Sequence, residues 1–148
     1  MEVTGKRVLV FGSGISGIGA AGLLLEQGAE VVLYDGNEKL SESDLRRKLG
    51  GDGRVRIVIG AFPEELPDML DIAVLSPGVP TDLPAVNQMR ERGGLITGEV
   101  ELAYEAGKGD VLAITGTNGK TTTTALLGEI MKAYREQVFV VGNIGNPY

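Results

Sequence analysis

The sequence predicts an α/β protein: a doubly wound parallel sheet of about five strands, followed by the opening βαβ unit of a second sheet. Three observations carry this. Short apolar runs alternate with amphipathic stretches along the whole chain. Two of those runs empty into glycine-rich turns that open a helix, and the first such unit closes on an aspartate.

In chain order, Lys6-Arg7-Val8-Leu9-Val10-Phe11 reads as a strand buried on both faces, because its apolar core does not alternate. It runs into Gly12-Ser13-Gly14-Ile15-Ser16-Gly17, a GxGxxG turn that opens a helix ending near Gly28. A second run, Val31-Val32-Leu33-Tyr34, follows and is closed by Asp35 and Gly36. Together these form a complete βαβ unit with the Rossmann-like fingerprint, in which backbone N–H groups at a helix N-terminus hold an anion. Gly17, Gly19 and Gly22 are expected to let the helix lie close on the sheet. Asp35 has two readings, contact with a ligand's sugar or base and capping of the turn Gly36-Asn37.

Leu40-Ser41-Glu42-Ser43-Asp44-Leu45 starts a helix, with Ser41 as cap, Asp44 as capping-box partner and Leu40 stapled to Leu45. Gly50 to Gly53 end it. Val55 to Ile59 is a third strand, Ala61 to Met69 a loop with at most a helical turn, and Ile72 to Leu75 a fourth strand. That strand discharges into Ser76-Pro77-Gly78-Val79-Pro80, at the sheet edge where open α/β sheets bind ligands. Pro84 to Arg92 is a short helix, Leu95-Ile96-Thr97 a fifth strand and Gly98 to Ala106 another helix. Gly107-Lys108-Gly109 is a linker, so the domains are set at 1–107 and 108–148.

After the linker, Val111 to Ile114 reads as a buried strand and Thr121 to about Arg135 as a helix with Leu126, Leu127, Ile130, Met131 and Tyr134 on one stripe. Between them stands Thr115-Gly116-Thr117-Asn118-Gly119-Lys120-Thr121-Thr122, a shortened phosphate loop. Ile114 occupies the position where the longer pattern has its first glycine; here that glycine is Gly116. Inward-turned N–H groups and the helix N-terminus suit a polyphosphate, Lys120 reaches its outer phosphates, and Thr121 is placed to ligate Mg²⁺. Val138 to Val141 is expected as one more strand before the turn Gly142-Asn143-Ile144-Gly145. About forty residues are near the size below which a chain seldom folds alone. The second unit is therefore expected to be cut from a longer protein and to dock, pair or fray.

The chain has 148 residues, of which 43% are hydrophobic, enough for a sizeable core. It has no cysteine and no histidine, which excludes disulfides, thiolate metal sites and histidine bases within it. Twenty acidic against fourteen basic side chains give a net charge of −6, which disfavours a general nucleic-acid surface. No leader opens the chain and no apolar run nears the ~20 residues of a membrane span. A cytoplasmic setting is expected.

In combination, the N-terminal GxGxxG unit, Ser76-Pro77-Gly78, Thr115 to Thr122 and Gly142-Asn143-Ile144-Gly145 resemble the Mur ligases along the whole chain. The resemblance implies an ATP- and Mg²⁺-dependent amide ligase of peptidoglycan precursor synthesis. Its substrate carboxylate is activated as an acyl phosphate, which an amino group then attacks. It further implies that the first domain holds UDP-N-acetylmuramoyl-L-alanine, with Ile15 and Ser16 facing the diphosphate, Asp35 on the uracil side, Ser76 and Gly78 lining the cleft, and Asn143 on the muramoyl part. Gly36 stands where relatives can carry a hydroxyl residue. Asn118 stands where the L-alanine-adding relative usually has histidine, so D-glutamate is the expected amino acid, selected by a domain outside this chain. The family's acidic and histidine metal ligands, carbamylated lysine and C-terminal domain do not occur here, so the piece should bind without catalysing. Two other classes fit parts of the pattern: a nicotinamide-dependent oxidoreductase, from Gly12 to Asp35, and a non-enzymatic nucleotide-sensing module.

Overall fold

The computed structural model describes residues 1–142, and the chain divides into two compact units, Met1–Ala106 and Gly107–Tyr148. The first unit runs β1 (Arg7–Phe11), α1 (Ile15–Glu26), β2 (Glu30–Asp35), α2 (Glu42–Lys48), β3 (Val55–Ile59), a 3₁₀ turn (Leu66–Met69), β4 (Ile72–Leu75), α3 (Pro84–Glu91), β5 (Leu95–Gly98) and α4 (Glu99–Ala106). The five strands form one sheet in the order β3-β2-β1-β4-β5. Every pairing is parallel, with Val10 opposite both Leu33 and Val74.

Both faces of the sheet are covered, which is why its strands read as unbroken apolar runs. Val8, Val10, Val31, Leu33 and Val74 share one buried cluster with Ala21 and Leu24 of α1, Leu45 of α2 and Leu102 of α4. The alternate residues Leu9, Phe11, Val32, Ala73 and Leu75 pack on the other side with Leu66, Val86 and Met89. Each fully buried side chain of this size contributes roughly 1.5–3 kcal/mol, so the two clusters hold β1 and β4 rigidly at the centre.

At α2 the expected cap is half formed. Ser41 Oγ accepts from the Asp44 amide at 3.4 Å, and Leu40 packs beside the buried Leu45. The Asp44 carboxylate instead accepts from Arg47 at 2.6 Å, since a guanidinium one turn away competes with the cap amide. Of the three helix glycines, Gly17 alone meets a close neighbour; a Cβ on Gly19 or Gly22 would find open space.

The second unit contains α5 (Lys120–Lys132), which begins one residue earlier than expected and stops short of Arg135. Neither 111–114 nor 138–141 forms a strand among the described residues. The reason is that a parallel strand exists only where a neighbour receives its backbone hydrogen bonds, and these segments have none in the recorded sheet. The helix stripe is split as well: Leu126, Ile130 and Tyr134 are exposed. Gly128 is buried where Val140 crosses it, a Cβ there lying 2.5 Å from Val140 Cγ2. Asn143 and the rest of its turn lie outside the described residues. Among those described, no helix is long and apolar enough to cross a membrane.

Candidate functional site

The site in the first unit is built from strand ends. Asp35 ends β2, and Gly12, Ser76 and Glu99 directly follow β1, β4 and β5, all on the carboxyl edge of the sheet. β1 and β4 are neighbours whose following helices, α1 and α3, leave to opposite faces. That divergence is the topological switch point at which open α/β sheets receive ligands.

The β1–α1 turn is fixed by close approach. Gly12 has φ +96°, and a Cβ on it would stand 2.9 Å from Ser76 Oγ. Its amide donates to the Tyr34 carbonyl at 2.8 Å, prolonging the β1–β2 ladder. A Cβ on Gly17 would lie 2.0 Å from the Gly12 carbonyl oxygen, so α1 approaches the turn as only a glycine allows.

Asp35 clamps the turn from the side. Its Oδ2 accepts from both the amide and the hydroxyl of Ser13, at 2.9 and 2.6 Å, and its Oδ1 accepts from the Asn37 amide at 3.0 Å. Burial pushes the Asp35 carboxyl up, and the hydrogen bonds from the Ser13 hydroxyl, the Asn37 amide and the Ser13 amide outweigh it, leaving the group below its ordinary value. Ser13 itself is buried, and its hydroxyl is committed to this clamp. Gly36 is exposed next to it.

What the turn leaves open is a row of unpaired backbone amides, a candidate anion seat. α1 has no side-chain cap and no acidic residue in its first turn. Among the described residues, no acceptor meets the N–H groups of Gly14, Ile15 or Ser16. Gly14 and Ile15 are exposed and Ser16 is half-buried. Free amides at the positive end of a helix dipole attract phosphate. Across from these amides, Ser76 Oγ lies 2.6 Å from the Phe11 carbonyl oxygen and 2.5 Å from Glu99 Oε1, with one hydroxyl proton between the two, and the exposed Pro77-Gly78 turn is closed by the Val79 amide on the Ser76 carbonyl at 2.9 Å.

On the opposite side of β1 and β2, Phe11 stacks on Phe62 at 5.7 Å and Tyr34 meets both rings edge-on. The Tyr34 hydroxyl is tied to the Gly60 carbonyl at 3.0 Å. These rings floor a separate cleft of about 570 Å³ whose walls include Leu83, Pro84 and Gln88.

The second unit carries a second candidate anion site. Gly119, at φ +76°, is the N-cap of α5, and Gly116, at φ +147°, turns the loop before it. Lys120 Nζ curls back over the loop, 2.5 Å from the Gly116 carbonyl and 3.4 Å from that of Thr117. Thr117, Asn118, Thr121 and Thr122 are exposed around it. A polyphosphate fits this cradle of loop amides, helix end and lysine. For Mg²⁺ the chain offers the Thr121 hydroxyl, and no cluster of acidic or histidine ligands among the described residues.

Gly12 to Gly17, Asp35, Gly36 and Ser76 to Gly78 are thus gathered on one sheet edge, and Gly116 to Thr122 at the loop and first turn that open α5. Sequence reasoning missed Glu99, a buried carboxylate 2.5 Å from Ser76 Oγ. The signal was present, since Glu99 directly follows a strand, as Asp35 closes one.

A five-stranded parallel sheet with free helix-end amides at its switch point, followed in sequence by a glycine loop that opens a second helix, places the chain in the Rossmann-like α/β class. Residues 6–98 match the family described as "Mur ligase MurD-like, N-terminal domain", and residues 114–148 match "Mur ligase middle domain". The chain belongs to the Mur ligase family, in its MurD-like branch. It is 55% identical over its full length to the UDP-N-acetylmuramoylalanine–D-glutamate ligase of Lachnospira eligens and 53% to that of Lachnoclostridium phytofermentans. It spans 33% of the length of each. Among solved structures it is similar to a murein peptide ligase from Psychrobacter arcticus, at 25% identity and a TM-score of 0.58, covering 88% of this chain and 27% of that one. It is also similar to a UDP-N-acetylmuramate–alanine ligase from Thermotoga maritima, at 25% identity and a TM-score of 0.52, covering 88% of this chain and 30% of the other.

Proposed function

We propose that this chain is the sugar-nucleotide-binding part and phosphate loop of an ATP-dependent ligase. In this reading the enzyme adds D-glutamate to UDP-N-acetylmuramoyl-L-alanine in the cytoplasm, and residues 1–107 are the substrate domain. The observation that carries it is the succession of two amide-lined anion seats, at Gly14 to Ser16 and at Gly116 to Lys120, within stretches that match the two Mur ligase domains.

Each residue then has a physical task. The free amides of Gly14, Ile15 and Ser16 hold the diphosphate at the N-terminus of α1. Asp35 works mainly by holding Ser13, so that the turn is pre-shaped before ligand arrives. Ser76 and Gly78 face the sugar side of the cleft, and Asn143 is assigned to the muramoyl end. Gly116 to Thr122 receive the nucleotide phosphates, with Lys120 offsetting negative charge and Thr121 supplying one metal oxygen. ATP, when bound, supplies the phosphoryl group that turns the substrate carboxylate into an acyl phosphate. None of these chain residues has to exchange a proton.

An oxidoreductase is disfavoured because residues 6–98 and 114–148 match Mur ligase domains. Calorimetric titration with UDP-N-acetylmuramoyl-L-alanine and with NADH tests the choice. Saturable binding of the UDP compound alone is expected. Binding of NADH with no heat from the UDP compound would overturn the proposal.

A further inference from the structure

Glu99 has no task in the reading above, yet it touches the site from below. It is the first residue of α4, directly after β5, and is 7% exposed. Its Oε1 lies 2.5 Å from Ser76 Oγ, and that same hydroxyl lies 2.6 Å from the Phe11 carbonyl. A Cβ on Gly17 would stand 3.6 Å from the same Oε1. One carboxylate therefore stands at the ends of β4 and β5 and reaches the end of β1 through the Ser76 hydroxyl. A buried carboxylate survives only where such partners offset its lost hydration.

We propose that Glu99 is the positioning residue of the α1 anion seat, acting through Ser76 on the Phe11 carbonyl and hence on the Gly12 turn. The hydrogen-bond inventory sharpens this. A serine hydroxyl carries one proton, and here it faces two acceptors at hydrogen-bond distance. Glutamine at 99 would donate an amide proton to Ser76 Oγ and release the hydroxyl proton to the Phe11 carbonyl, satisfying both contacts. It would also remove a negative charge that stands near the N-terminus of α1 and opposes any anion bound there. Alanine would leave Ser76 unbraced. The affinity order for an anionic ligand is therefore Glu99→Gln equal to or tighter than the native chain, and Glu99→Ala weaker. The choice of ligand rests on the sugar-nucleotide reading; the brace does not.

The test is calorimetry with UDP-N-acetylmuramoyl-L-alanine on the 148-residue chain, together with backbone amide NMR spectra taken without ligand. Glu99→Ala and Ser76→Ala are each expected to weaken binding about tenfold, and the double variant no further, because coupled groups do not add. Both should displace the same Gly12 to Ser16 amide signals in the ligand-free chain, and Glu99→Gln should restore affinity. Losses that multiply, unmoved amides in Glu99→Ala, or a glutamine variant as weak as the alanine one would overturn the proposal. If Glu99→Ala fails to fold, Glu99→Gln and Ser76→Ala still decide it. A native chain that ignores the UDP compound while its Gly12 to Ser16 amides respond to Glu99→Ala would sink the ligand assignment and uphold the brace.

Discussion

Ser13 donates twice to a single oxygen of Asp35, by its amide at 2.9 Å and its hydroxyl at 2.6 Å. The glycine turn after β1 is thereby stapled to the end of β2 before any ligand is involved. A carboxylate that would otherwise read as a ligand contact is first a part of the scaffold.

Removing that staple should be felt in acid-dependent stability. Because folding holds the Asp35 carboxyl below its ordinary value of 3.8, its contribution is present above that pH and is lost as pH falls through the folded value. Asp35→Ala is expected to cost about 1–3 kcal/mol at pH 7, the cost of orphaning hydrogen-bonded donors. Urea unfolding should show a constant gap between native and variant above about pH 4 and a narrowing gap as the pH is taken below 3.8. A gap that does not narrow there would contradict the assignment.

Gly17 and Gly19 make a matched pair. A Cβ at Gly17 would lie 2.0 Å from backbone, whereas at Gly19 it meets nothing. Gly17→Ala should lose about 1–3 kcal/mol or more by overpacking and weaken anion binding. Gly19→Ala should gain roughly 0.5–1 kcal/mol from helix propensity. Thermal unfolding checks both, and equal effects would refute the geometry.

Ser16→Glu places a carboxylate among the free amides of the α1 first turn. Binding of UDP-N-acetylmuramoyl-L-alanine should fall by tenfold or more, since about 1.4 kcal/mol corresponds to each factor of ten. Calorimetry with unchanged affinity would move the diphosphate elsewhere.

Lys120→Ala removes an ammonium that lies over its own loop carbonyls. Affinity for the UDP compound should stay within about twofold, and stability within about 0.5 kcal/mol, as for other exposed positions. Protection of amides 115–122 by ATP in hydrogen exchange should disappear. Loss of UDP-compound binding as well would indicate one shared seat.

The layered sheet was legible because strands buried on both faces must be apolar throughout, as Val8 to Phe11 and Ile72 to Leu75 are. The β1–α1 turn was legible because its geometry depends on Gly12 and Gly17, and glycine advertises a close approach. Asp35 was half legible, since its letter is the same whether it faces a ligand or Ser13. Glu99 was hidden, because its meaning comes from Ser76, a residue brought beside it by the pairing of β4 with β5. The segments 111–114 and 138–141 carry strand-like letters, but letters cannot supply the neighbour that turns an extended segment into a strand.

The mouth of the first site is assembled from the tips of separate segments, at Gly12, Asp35, Ser76 and Glu99, each delivered by its own strand. The glycine signature is accordingly not portable. Transplanting Gly12 to Gly17 onto another helix would carry the spelling without the clasp, whereas an entire 1–106 module, moved intact, would take its pocket along.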